Sequence, residues 1–451
     1  MIRAIALPIR PFVAYDLTRL FLAPAHVTPR GIDRVDLGYA RHFLADWPGD
    51  AAATLLSPFG LRVLERREAL RVVDFAEAHW KEGCHPCDDR LLNRVKRKLA
   101  DRSDGSHVIK IGSRGRQIAG MMRQVLRHAG RIAGASRSHA IARNGIYLNT
   151  GQMGIAVPQL LSWLAARPDI RSVFMLHDLI PIEYAQFVPA LSSYFHNNMV
   201  TNAMAHASGL ITTTKTMGHA IQQEFMRRGH PGMPVLSEPL PVSPSFLNGR
   251  SADERLSQAP YFVIVGSIEL RKNHALLLEV WRELLRTEGA RTPVLVMAGT
   301  RWNGHEAVTG AVNASPELRD VIIEVGGMST PALHQLISNA RGLLMPSFAE
   351  GFGLPIIEAQ ALGVPVIASD NAVHRETGGG GVRYINPCDV AGWADAIRAI
   401  MASPLSAAPC GAIRTWPDYF RRIEPFLSAI AAQNSTSGDI LNSNSAEVSA
   451  A

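Results

Sequence analysis

Polar and apolar positions alternate most regularly in the second half of the chain, where short continuous apolar runs are separated by stretches with helical spacing. Residues 261–265 (Tyr-Phe-Val-Ile-Val) predict a buried strand, residues 275–285 a helix, and residues 293–298 a strand again. The alternation continues with strands at 321–325, 342–345 and 364–368 and helices at 331–340 and 355–362. Strands interleaved with helices predict a parallel, doubly wound sheet that binds ligands at the carboxyl ends of its strands. The first half is less regular. Its apolar runs at 12–15, 145–148, 172–176 and 209–212 predict four buried strands and hence a second α/β domain.

Residues 237–244 (Ser-Glu-Pro-Leu-Pro-Val-Ser-Pro) disfavour a helix and place a linker near 240–258. The predicted organisation is an N-terminal domain over 1–245, a C-terminal domain over 258–415, a helix over 416–432 and a disordered tail over 433–451. The helix follows from the spacing of Tyr419, Phe420, Ile423, Phe426, Leu427 and Ile430, and the tail from a Ser- and Asn-rich composition without apolar periodicity. A chain of 451 residues is long enough for two cores, and 47% hydrophobic against 19% charged residues is a globular balance.

Charge sharpens this picture in one place. From residue 90 to residue 143 there are fourteen basic residues against two acids, with apolar residues interleaved. Such a stretch suits an anionic membrane surface, a bound polyanion or a solvated face. No run approaches the roughly 18 apolar residues of a membrane span, and no signal peptide is read. The four cysteines of the chain form no disulfide framework. These features predict a cytoplasmic protein, peripheral on the inner face of the cell membrane, with no nucleic-acid partner. Cys84-His-Pro-Cys87 has the spacing of half a zinc site, and no second pair completes it. No Asp-x-Asp and no Gly-x-Gly-x-x-Gly occurs, which disfavours a metal-dependent glycosyltransferase and a dinucleotide enzyme of the same sheet pattern.

The chemistry concentrates after the strand ending near Met345. Gly351 and Gly353 permit a tight loop with exposed N–H groups, and Pro355 suits the start of a helix. A helix N-terminus facing a crevice favours an anion such as a sugar diphosphate. Glu350 lies in the loop and Glu358 about one turn into the helix, so both carboxylates can bond the hydroxyls of one ligand. A loop charge and an ordinary first-turn glutamate would read the same way.

The segment from Glu350-Gly-Phe-Gly-Leu-Pro to Glu358, running into Ala-Leu-Gly-Val-Pro-Val-Ile-Ala-Ser, resembles the signature of the retaining family-4 glycosyltransferases. The likeness extends to Val265-Gly-Ser-Ile-Glu-Leu-Arg-Lys-Asn273, to His177-Asp-Leu-Ile-Pro-Ile-Glu-Tyr184 and to Pro29-Arg-Gly-Ile-Asp-Arg-Val-Asp36, roughly residues 10–430 in all. It implies the GT-B architecture: two Rossmann-like domains across a cleft, with a C-terminal helix returning toward the first. It implies that Arg271 and Lys272 hold the donor diphosphate, Glu350 the hexose and Glu358 the ribose. Gly266, Gly351, Phe352, Gly353 and Leu354 would line the donor site, Gly31 would approach the phosphates, His177 would face the transferred sugar, and Met328 in the Gly326–Ser329 loop would border the base. Glu376 would support the site or mark a plain turn. The expected activity is transfer of a hexose to a saccharide acceptor in exopolysaccharide or O-antigen assembly, without metal or cofactor. Similarity to mannosyltransferase-like members points to GDP-mannose first and a UDP-hexose second, with a lipid-linked oligosaccharide as acceptor. An epimerase of the same fold or a non-catalytic scaffold remains open at this point.

Overall fold

The structure, a computed structural model, describes residues 10–22, 28–57, 60–80, 89–101, 107–109, 135–403 and 413–433. The Cys84–Cys87 pair, most of the basic stretch and the tail from residue 434 lie outside the described residues. In chain order the strands are β1 (Val13–Asp16), β2 (Ala51–Ser57), β3 (Gly60–Leu64), β4 (Val108–Ile109), β5 (Ile146–Asn149), β6 (Arg171–Met175) and β7 (Ala207–Thr212). They continue with β8 (Val235–Ser237), β9 (Tyr261–Val265), β10 (Val294–Ala298), β11 (Ile322–Val325), β12 (Gly342–Met345), β13 (Val366–Ser369) and β14 (Val382–Ile385).

Two seven-stranded sheets result, in the orders β3-β2-β1-β5-β6-β7-β8 and β14-β13-β12-β9-β10-β11-β4. Only β2 and β3 pair antiparallel; all other neighbours are parallel, with helices on the faces. The central strands are buried along their whole length, so they read as continuous apolar runs rather than alternating ones. The chain is therefore the expected α/β protein of two Rossmann-like halves in the GT-B arrangement. The sequence pattern located β1, β5, β6, β7 and β9 to β13 to within two residues at each end. It passed over β2, β3, β8, β14 and the two-residue β4.

One segment of the first half serves the second sheet. β4 pairs with β11, and the Glu324 N–H donates to the His107 carbonyl at 2.9 Å. The preceding helix, Arg90–Ala100, turns Leu91, Leu92, Val95 and Leu99 into the core that also holds Tyr261, Val263 and Val294. Lys96 lies buried on the same face, its Nζ 2.7 Å from Asp253 Oδ2. The continuous first domain over 1–245 is thus interrupted by an excursion. Helical periodicity shows that a face is apolar but not which core it will meet. The excursion also narrows the reading of the basic stretch. In this helix the apolar face is spent on the protein's own core, and Arg90, Arg94 and Arg97 form the exposed face.

The C-terminal helix, Trp416–Ala432, starts at a reciprocal cap between Thr415 and Asp418 and returns to the first domain. Tyr419, Phe420, Ile423, Leu427 and Ile430 enter that domain's core beside Tyr39 and Phe43. The Tyr39 and Tyr419 hydroxyls lie 2.7 Å apart, and His42 stacks on Phe420 at 3.6 Å. Among the described residues no helix is long and apolar enough to cross a membrane.

Because Leu92 is fully buried between the excursion and the second sheet, Leu92→Ala should cost about 2–5 kcal/mol. Arg94→Ala, on the exposed face, should cost less than about 0.5 kcal/mol. Urea unfolding of both variants checks this; equal midpoints would place the helix elsewhere.

Candidate active site

The site forms where β9 and β12, adjacent in the sheet but some eighty residues apart in the chain, end side by side. The loop after β9 carries Arg271 and Lys272, and the loop after β12 carries Glu350. Three hydrogen bonds stitch the loops together. The Phe348 N–H donates to the Arg271 carbonyl at 2.8 Å, Asn273 Nδ2 to the Pro346 carbonyl at 3.2 Å and Arg271 Nη1 to the Ala349 carbonyl at 3.0 Å. Asn273 adopts φ 55°, a left-handed conformation that asparagine tolerates better than most residues, at the position just before the helix His274–Glu288. This explains an asparagine after Arg-Lys.

Within this frame Lys272 Nζ donates to Glu350 Oε1 at 2.5 Å and Arg271 Nη1 to Glu350 Oε2 at 3.0 Å. Glu269 Oε1 lies 3.0 Å from Arg271 Nη2. Burial alone would raise the Glu350 carboxyl, but Lys272 and Arg271 overcome it and hold the group well below the usual carboxylate range. Burial also pulls the Lys272 ammonium below the ordinary lysine range, opposed by Glu350. Arg271, with its side chain 19% exposed, is held above its ordinary value by Glu350 and Glu269 against the effect of its partial burial. Two cations and two carboxylates thus neutralise one another. The sequence had assigned Glu350 and the Arg-Lys pair to different parts of a ligand; the structure joins them in one cluster.

Beyond Glu350 the loop enters the helix Leu354–Ala361 through Gly353 at φ 95°, with Pro355 in the first turn. The conformation favours glycine, and the Gly353 carbonyl accepts from the Ile356 N–H at 2.9 Å as the helix begins. Gly351 lies against the first domain, where a Cβ would stand 2.5 Å from the His177 carbonyl oxygen. Thr213 Oγ1 donates to the Gly351 carbonyl at 2.7 Å, and Phe187 stacks on Phe348 at 5.3 Å. Gly31, which opens the helix Gly31–Arg41, faces Leu354 across the cleft: its Cβ would meet Leu354 Cδ1 at 3.4 Å. Two helix N-termini therefore converge beside the Arg271–Lys272–Glu350 cluster. Gly266 backs that cluster, its Cβ position 3.2 Å from Lys272 Cε.

His177 sits at the end of β6, and its Nε2 lies 2.8 Å from the Thr150 carbonyl. A carbonyl only accepts, so Nε2 carries the proton and Nδ1 presents a lone pair. Burial pushes the imidazole down to about 4, which leaves it neutral at physiological pH. Two expected donor-site residues have buried side chains. Phe352 packs in the core of the first domain, and Met328 in that of the second. Their backbones border the loops, but those side chains serve packing.

Arg34, Asp89 and His374 emerge only in three dimensions, and Glu376, which the sequence left between support of the site and a plain turn, gains defined partners. Arg34 of the first domain is paired with Glu358, which is fully buried. Asp89, at the start of the excursion, accepts from both the N–H and the hydroxyl of Ser329 at 3.1 and 2.9 Å, and so braces the Gly326–Ser329 loop. Glu376 accepts from the Lys215 and Thr216 N–H groups at 2.5 and 2.9 Å, sealing the N-terminus of the helix Lys215–Arg227 across the cleft. His374 is buried beside Gly353, with Nδ1 at 2.9 Å from the Ser369 carbonyl and Nε2 unpartnered among the described residues. In sequence it was only one histidine of sixteen.

Behind His177 lies a buried acid network. Asp36 accepts from the Tyr15 and Thr150 hydroxyls at 2.5 and 2.7 Å, and Asp16 accepts from Tyr147 at 2.7 Å. Burial, against these hydrogen bonds, pushes Asp16 up to about 7 and Asp36 up to about 6.

Residues 250–412 match the family described as glycosyl transferases group 1. The chain is 33% identical over 129 residues to the serotype-specific mannosyltransferase WbdA of Escherichia coli, covering 29% of this chain and 16% of WbdA. It is 28% identical over 233 residues to the O-antigen chain mannosyltransferase RfbU of Salmonella typhimurium, covering 51% of this chain and 60% of RfbU. Both matches span less than two thirds of the relative. In fold it is similar to Anabaena HepE, solved with UDP and glucose, with a TM-score of 0.53 at 15% identity over 96% of this chain and 100% of that one.

The buried Asp16 gives a pH dependence whose sign is fixed. A carboxyl raised in the folded state binds its proton more tightly there, so its contribution to stability is full below about 4 and is lost as pH rises to about 7. Asp16→Asn removes that loss. The melting temperature of the variant minus that of the wild type should increase between pH 4 and pH 7.5; a difference flat with pH would show that Asp16 is not raised.

Proposed function

With residues 250–412 forming a group 1 glycosyltransferase domain within a GT-B fold, we propose that the protein transfers a hexose from a nucleotide-diphosphate sugar to a hydroxyl of a growing saccharide, with retention of configuration. The observation that carries this reading is the buried Arg271–Lys272–Glu350 cluster set against two helix N-termini in the cleft. A diphosphate entering there meets both cations and the positive end of the helix Leu354–Ala361, and frees Glu350 to accept from hexose hydroxyls. The bond from the anomeric carbon to the phosphate oxygen breaks, and the acceptor oxygen bonds that carbon on the same face. The acceptor proton passes to the departing phosphate. Arg271 and Lys272 stabilise the charge on the leaving diphosphate, so no metal is required in this scheme. Neutral His177 faces the hexose as a hydrogen-bonding partner rather than as an acid.

The relatives' names support mannose as the sugar and O-antigen assembly as the setting; GDP is the proposed carrier, with a UDP-hexose the next choice and exopolysaccharide assembly an alternative setting. A lipid-linked oligosaccharide is the proposed acceptor. The protein would then work at the cytoplasmic face of the membrane, where the Arg90, Arg94 and Arg97 face can meet anionic headgroups.

Incubation with a panel of nucleotide sugars should yield slow donor hydrolysis and thermal stabilisation by one of them. Conversion of the sugar without an acceptor would indicate an epimerase, and no response to any donor a scaffold. Lys272→Met and Glu350→Gln should each reduce turnover at least about 100-fold with the fold retained by circular dichroism; full activity in either overturns the site. Vesicles with anionic lipid should sediment the wild type, and Arg94→Ala with Arg97→Ala should abolish this. Lys96 is left intact because it is paired with Asp253. Equal sedimentation with purely neutral vesicles would argue against the basic face.

A further inference from the structure

Arg34 projects from the second turn of the Gly31–Arg41 helix, crosses the cleft and pairs with Glu358 of the second domain. The pair is secluded: the Arg34 side chain is 15% exposed and Glu358 not at all. The guanidinium lies over the Phe246 ring at 5.8 Å, and its Nε is buried without a hydrogen-bond partner among the described residues. Beside it is open space. Arg34 and Leu354 also line a cavity of about 810 Å³, shared with the linker residues Pro241, Ser243 and Pro244 and with Trp416 and Phe420 of the C-terminal helix.

A ribose is neutral. A carboxylate that accepts hydrogen bonds from its two hydroxyls in a dry site must have its charge balanced by something other than the ligand, or it takes up a proton and loses its acceptor capacity. The described residues of the second domain present cations to Glu350, whereas the cation beside Glu358 comes from the other domain.

We propose that Arg34 is a positioning residue for the nucleoside half of the donor. It neutralises and orients Glu358 for the ribose diol, and so links nucleoside binding to closure of the cleft. The proposal rests on the reading above that Glu358 meets the ribose. The linkage is reciprocal: a nucleoside that binds Glu358 in its paired arrangement favours the closed cleft, and the pair holds the domains together.

The test is calorimetric titration of the full chain with GDP and UDP, with their 2′,3′-dideoxy forms and with inorganic pyrophosphate. The wild type should prefer the diphosphate with hydroxyls by about tenfold. Arg34→Gln should reduce that preference to about twofold without changing pyrophosphate binding, and Arg34→Lys should restore part of it. In turnover, Arg34→Gln should raise the donor KM more than it lowers kcat. An intact preference in Arg34→Gln overturns the proposal. So does an equal loss of pyrophosphate binding, which would make Arg34 a phosphate ligand. If the wild type binds neither nucleotide, the donor-site reading falls and this proposal with it. If it binds and Arg34→Gln behaves as wild type, only the assignment of Arg34 falls. Should Arg34→Gln fail to fold, Arg34→Lys carries the same comparison.

Discussion

A buried negative charge has to be balanced, and the cleft is arranged around that requirement. Glu350 and Glu358 sit within eight residues of each other, and both are shielded from water. Neither can remain ionised there without a cation close by. For Glu350 the cations come from the end of β9, which lies next to β12 in the sheet. For Glu358 the cation comes from the other domain. The first pairing is settled by sheet order. The second depends on how the two halves meet.

The interface between the halves is consequently more than contact between two independent sheets. The chain passes from the first domain to cover the edge of the second sheet with β4, returns, and at its end sends a helix back into the first core. Glu376 and Arg34 face opposite ways across the cleft, one sealing a helix N-terminus in the first domain and the other balancing a carboxylate in the second. Movement of one half against the other would break charged contacts that water must then replace. Closure and the electrostatics of the site are thereby the same event.

The first domain contributes a different kind of environment. Its strand ends hold Asp16 and Asp36 among tyrosine and threonine hydroxyls, where burial favours the protonated acids, and a neutral histidine in front of them. This face offers hydrogen bonds with little net charge, suited to uncharged hydroxyls. The opposite face, with Arg271 and Lys272, is suited to a diphosphate. The division of labour across the cleft follows from which side chains each domain can afford to bury.

The sequence by itself determined the parallel α/β plan, most of the core strands of both halves and the Glu350–Glu358 segment. These depend on local quantities: apolar runs long enough to register, and glycines and a proline at a strand-to-helix turn. It also located Arg271 and Lys272, through resemblance rather than through any spacing rule. Only the tertiary structure decided that Phe352 and Met328 are buried in the cores of the two halves, that the helix Arg90–Ala100 spends its apolar face on the second domain, that Arg34, Asp89 and His374 belong to the site's surroundings, and that Glu376 bonds a helix N-terminus of the other domain. The physical reason is common to all of these. Periodicity reports that a side chain will be buried, whereas its partner is set by sheet order and domain docking, which bring together residues as far as 380 positions apart.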